Sequence, residues 1–152
     1  RRAERLFELS ESISENAQLI VQNSTLAIWI FSLRFSENPI EVDFGETMAP
    51  VIQSLDDSIT FDTASQNLNS AEIYRRRLTE LKPIASVHLD TETVSLIDQI
   101  LKLSMAIEVM FKLFESGQNE KTKAEIMNPL HVENLRNYET LLVARLRPHL
   151  SR

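Results

Sequence analysis

The sequence predicts an all-α protein, an up-and-down antiparallel helical bundle of four or more helices folded as a single domain over residues 1–152. Three observations predict it. Glycine occurs only at Gly45 and Gly117, whereas strands, hairpins and phosphate loops draw on residues that accept positive φ. Three segments repeat apolar residues at steps of three and four, the period of one helix face. A chain of 152 residues with 43% hydrophobic and 25% charged residues can bury a globular core without a staple.

The first element contains the apolar run "NSTLAIWIFSLRF", Asn23 to Phe35, and no charged residue occurs from Asn16 to Leu33. A membrane span, a core helix and a partner-binding surface are the three readings. The span fails on chemistry. Asn16, Gln18, Gln22, Asn23, Ser24 and Thr25 fill its first half, and each buried amide without a partner costs about 1–3 kcal/mol or more. What remains, Leu26 to Leu33, falls well short of the roughly 20 apolar residues a bilayer requires. Leu6, Leu9, Ile13, Ala17, Ile20 and Ala27 recur at steps of three, four or seven, so the stretch reads as a central helix surrounded by others, with Trp29 buried. Asn16 and Asn23 fall seven apart on its apolar face. They fix register, line a small polar ligand cavity, or are partly exposed. Asn23-Ser24-Thr25 matches a glycosylation sequon, but a buried helix has no room for a glycan, and the match reads as chance.

The remaining elements follow from punctuation. "SENPIEVDFGE", Ser36 to Glu46, reads as the first connection. A second helical region begins near Thr47, with Pro50 in its first turn, and runs through Val51, Ile52, Leu55 and Ile59. The polar residues Thr60 to Ser70 either continue it or hold a break before "AEIYRRRLTEL". Lys82-Pro83 predicts a boundary or kink. Asp90 or Thr91 caps the next helix, in which Val94, Ile97, Ile100, Leu101, Ser104, Ile107, Met110, Phe111 and Phe114 form one stripe, with Gly117 as its left-handed stop. "QNEKTKAEIM" is a short charged piece. Asn128-Pro129 opens a last helix carrying Leu130, Leu135, Tyr138, Leu141, Leu142, Val143 and Leu146 as far as Pro148.

Chemistry is sparse. A net charge of −6 argues against nucleic acid, whose binders present a basic face. Arg75-Arg76-Arg77 reads as a solvated face paired at helical spacing with Glu72 and Glu80, with an anion site as the alternative. The absence of cysteine excludes disulfides, thiolate catalysis and cysteine-based zinc sites. His88, His131 and His149 stand too far apart to share a helix face. Asp56, Asp57 and Asp62 lack the Glu-x-x-His pairs of bundle metalloproteins and read as solvated. With two glycines, no nucleophile elbow, dinucleotide fingerprint or P-loop can be built. The expectation is a protein that is not an enzyme, with no catalytic residue, metal site or cofactor.

"ELSESISENAQLIVQNSTLA", Glu8 to Ala27, resembles the first periplasmic helix of bacterial sensor histidine kinases of the trimethylamine N-oxide sensor type, in which small and polar residues interrupt an apolar face. "LRNYETLLVARLR", Leu135 to Arg147, is similar to bundle helices of such sensors and of chemoreceptor ligand-binding domains. The resemblance implies an extracytoplasmic, periplasmic sensor domain excised from a larger membrane receptor of a two-component system. It would bind a small ligand or a periplasmic binding protein and transmit by helix displacement. The start at "RRAERLFEL", already in helical phase, fits such a domain, with the membrane reached through flanking segments outside this chain. A homodimer is expected in the intact receptor, its face on the first or last helix, with Phe7, Val21 and Phe35 as spare apolar residues and Arg145 on the last helix. The alternative is an intracellular adaptor or regulatory bundle that takes a partner helix in an apolar groove.

Overall fold

The computed structural model describes residues 1–43 and 61–151, and among them all regular structure is helical. Four long helices and one short one appear: α1 (Arg2–Phe35), α2 (Phe61–His88), α3 (Thr91–Gly117), α4 (Glu120–Ile126) and α5 (Leu130–Leu150). The helical region expected near Thr47, with Pro50, Val51, Ile52, Leu55 and Ile59, lies outside the described residues, as do Gly45, Asp56 and Asp57.

Neighbouring helices run antiparallel around a ring. α1 packs on α2 and α5, and α3 on α2 and α5, leaving α1 and α3 across the diagonal. At one end, Phe31 and Phe35 of α1 meet Phe61 at the start of α2 and Phe114 near the end of α3, with ring centroids 4.7–6.3 Å apart. At the other end the start of α1 meets the end of α2, while Arg145 near the end of α5 is ion-paired with Asp90 and Glu92 at the start of α3. Between ring neighbours each contact joins one helix's start to the other's end, while the diagonal pair α1 and α3 meet end to end, which defines an up-and-down bundle.

α1 is the central helix that its uncharged run predicts. Ser24 to Ile28 and Ile30 to Ser32 are all buried, so its second half is covered on most sides. Trp29 is the exception and corrects the expectation of a buried tryptophan. It is half-buried at the edge of the core, because at 100° per residue it points about 160° away from Phe31. The helix ends where Ser32 turns its hydroxyl to the Trp29 carbonyl (2.7 Å) and accepts the Ile40 N–H (3.2 Å), anchoring the departing chain.

Several boundaries differ from those the local signals predict. The polar stretch from Phe61 to Ser70 is helix, continuous with "AEIYRRRLTEL". Every third or fourth position, Ala64, Leu68, Ala71, Arg75 and Leu78, is buried, and tertiary packing overrides weak propensity. Neither proline ends its helix, since Pro83 lies inside α2 and Pro148 inside α5. Each proline removes one ladder bond. Ala85, fully buried beyond Pro83, and Lys82, ion-paired to Asp98 of α3, anchor the backbone on both sides of that gap. Asp90 caps α3 as expected, accepting the Thr93 N–H at 2.7 Å and the Thr93 hydroxyl at 2.6 Å. Gly117 is not its left-handed stop. That conformation falls on Gln118, with φ 45°. The piece read as a charged connection holds α4, capped by Asn119. Asn128 accepts the Leu130 N–H at 3.0 Å, but the N-cap position of α5 falls on Pro129, one residue later than the cap-then-proline order predicts.

Candidate functional site

The sequence places Arg75 on a solvated face; the structure buries it. Its side chain is 4% exposed, and Nη2 meets Glu108 Oε2 of α3 at 2.6 Å. Nη1 donates to Ser104 Oγ at 2.8 Å, and that hydroxyl lies 2.9 Å from Ser24 Oγ of α1. One polar chain therefore crosses the core from α2 through α3 to α1. Arg75 faces inward because it falls in the apolar register of α2, four residues after Ala71 and three before Leu78. Arg76 behaves as the sequence predicts, exposed and paired with Glu72 (2.9 Å), while Arg77, also exposed, stacks over Tyr74, a contact the sequence reading did not foresee. Among the described residues Arg75 Nε has no hydrogen-bond partner, nor do the buried hydroxyls of Ser10 and Thr25.

Above this cluster the seam between α2 and α3 opens as a groove of about 400 Å³, lined by Glu72, Arg75, Arg76, Thr79, Glu80, Leu101 and Met105. One wall is apolar and the other carries charge. Such a lining can hold a compact amphipathic ligand. Beneath it, the cluster couples anything seated there to three helices at one level. Ser104 and Glu108 are four residues apart on one face of α3, with Ile100 one turn before and Lys112 one turn after. Sliding α3 by a turn would set Arg75 against a lysine or leave its charge unpaired, so the cluster fixes register.

The other polar candidates serve their own helices. Asn16 and Asn23 each donate to the carbonyl four residues upstream, Ser12 and Leu19, both at 2.8 Å. Register is carried instead by the Arg75 cluster. His88 is exposed at the end of α2, His131 bonds the Glu125 carbonyl, and His149 is half-buried in α5. Asp62 is exposed in the first turn of α2. No three histidine or carboxylate side chains converge as a metal site among the described residues. Burial pushes the Glu139 carboxyl up, partly opposed by Arg136. The Thr93 hydroxyl and N–H hold Asp90 below the usual carboxylate range, with Arg145 adding to the effect.

The residues expected to be spare for a dimer face are not spare. Val21 is 3% exposed within the core, and Phe35 belongs to the aromatic cluster. Phe7 is half-buried, lining a groove with Pro148 and His149. Exposed apolar side chains collect elsewhere, with Met105, Val109 and Leu113 at steps of four along α3. The buried cluster did leave a trace in the sequence. Ser104 sits inside the apolar stripe and Glu108 borders it, and a buried polar group on one helix needs a partner on another.

No protein-family model, curated protein or solved structure matches this chain. No helix among the described residues is long and apolar enough to cross a membrane.

Proposed function

We propose that this bundle is the extracytoplasmic sensory domain of a signal-transducing membrane receptor, binding a small ligand or a periplasmic partner protein and transmitting by helix displacement. The observation that carries the reading is the Arg75–Glu108–Ser104–Ser24 cluster, a buried tie between three helices that lies directly below an open groove. A ligand in that groove would bear on Arg75 and so on the relation of α2 to α1 and α3. Packed cores respond to such a bias by shifting between discrete arrangements, with helix movements of about 1–2 Å. The starts and ends of all four long helices give two such faces to read, and a homodimer in the intact receptor would double the output.

Topology mapping of the whole protein by cysteine accessibility tests this. A span on each side of the bundle, with the bundle outside the cytoplasm, is expected; a whole protein without any span sinks the receptor reading. A second reading, an intracellular adaptor that takes a partner helix, draws on the exposed strip of Met105, Val109 and Leu113. Absence of spans combined with loss of partner capture in Val109→Asp would favour it.

A further inference from the structure

The end of the bundle opposite the aromatic cluster carries a cleft of about 590 Å³ lined by Arg1, Arg2, Arg5, Val87 and His88. Every polar side chain lining it is basic, in a chain of net charge −6. Among the described residues none of the three arginines has an ion-pair partner, although Asp90 and Glu92 stand at the same end, where Arg145 engages both. Glu4 is the only acid in the first turn of α1. Placing three guanidinium groups there opposes the helix dipole, which favours anions at that end. Beside them the last turn of α2 exposes apolar surface. Val87 is 77% exposed, the largest exposure of a large hydrophobic side chain among the described residues, and Ile84 is 50% exposed. Unpaired arginines around a protruding aliphatic tip match a surface that is anionic outside and apolar just below.

We infer that this end rests on an anionic lipid bilayer, with Arg1, Arg2 and Arg5 on headgroup phosphates and Val87 and Ile84 at the headgroup–acyl boundary. The inference rests on the receptor reading and names the surface that the domain meets. It has two consequences. The bundle would stand upright on the membrane, with α1 and α5 directed at it, and axial displacement of either helix would change the lipid contact. The interaction would be weak for the isolated chain and strengthened by tethering, because tethering supplies effective concentration. Each arginine near an anionic surface contributes about a fivefold factor in partition.

The test is co-sedimentation of the purified chain with phosphatidylglycerol-containing vesicles, compared with vesicles of phosphatidylcholine alone. Binding is expected only to the former, and to fall when salt shortens the screening length. The triple variant Arg1→Gln, Arg2→Gln, Arg5→Gln should lower it on the order of 100-fold, and Val87→Asp should lower it further. Lys102→Gln with Lys112→Gln, on the exposed side of α3 away from this end, should leave it unchanged. Equal binding to both vesicle types, loss in the lysine variant as large as in the arginine variant, or full competition by free glycerol phosphate would each overturn the inference. The last of these would identify a soluble phosphate site. Because the vesicle assay uses the isolated chain and the receptor reading is decided by topology of the whole protein, the two can fail separately.

Discussion

Arg75 and Glu108 show what a buried ion pair does in a largely apolar core. Their pairing repays part of the desolvation of two charges, but a hydrophobic pair of similar volume often does as well or better. Glu108→Ala should therefore destabilise by about 3–5 kcal/mol, because it strands the guanidinium. Arg75→Met with Glu108→Leu should restore most or all of that loss. Urea midpoints for the three proteins check this, and a double variant as unstable as the single one would show that the pair itself is favourable. Glu139 makes the opposite point. Burial raises its folded pKa, so its contribution is unfavourable once pH exceeds the unfolded value near 4.5 and is complete above the folded value. Glu139→Gln should be more stable than the parent at pH 7, with the difference shrinking to nothing below about pH 4. A difference independent of pH would show that desolvation of the carboxylate is not its source.

At the scale of the helix, the junction after α3 separates the residue type from the backbone that needs it. Gly117 is helical, and a Cβ there would find its nearest neighbour, Asn119 Nδ2, at 3.8 Å. Gln118, with φ 45°, occupies the conformation that glycine adopts freely. Gly117→Ala should stabilise by about 0.5–1 kcal/mol, and Gln118→Gly by about 1 kcal/mol. Thermal melts read both. A lower melting temperature for Gln118→Gly would mean that its side chain makes contacts worth more than the strain. The same junction shows why a sequence reading puts the stop one residue early, since glycine is the commonest left-handed residue but not the only one that a packed helix can force there.

At the scale of the molecule, α1 holds the bundle together. Among the described helices it contacts every other long one, and it carries the only tryptophan of the chain. Unfolding followed by Trp29 fluorescence should coincide with unfolding followed by helical circular dichroism, as a two-state domain of this size requires. Separate transitions would show that part of the bundle unfolds while α1 stays packed. The bundle class and the apolar stripes of α1 and α3 were legible in the sequence, because they depend on periodicity and on near absence of glycine; the start of α2 at Phe61 was not, because its first turns are polar. Pro83 and Pro148 do not end their helices, because a local helix-breaking signal is decided against packing that lies far away in sequence.

What the sequence determined by itself is the all-helical class, the apolar faces of α1, α3 and α5, a cap at Asp90 or Thr91, and the lack of any motif for catalysis. Those are properties of neighbouring residues, set by spacing and local hydrogen bonding. Only the tertiary structure decided that Arg75 of one helix meets Ser104 and Glu108 of another, that Val21 and Phe35 are spent on the core, and that Arg1, Arg2 and Arg5 share a cleft with Val87. The physical reason is that periodicity tells which face of a helix turns inward but not which face of which neighbour it meets. A charged residue falling in an apolar register can be read as buried or solvated until the partner that neutralises it, 33 residues away in the chain, is in place.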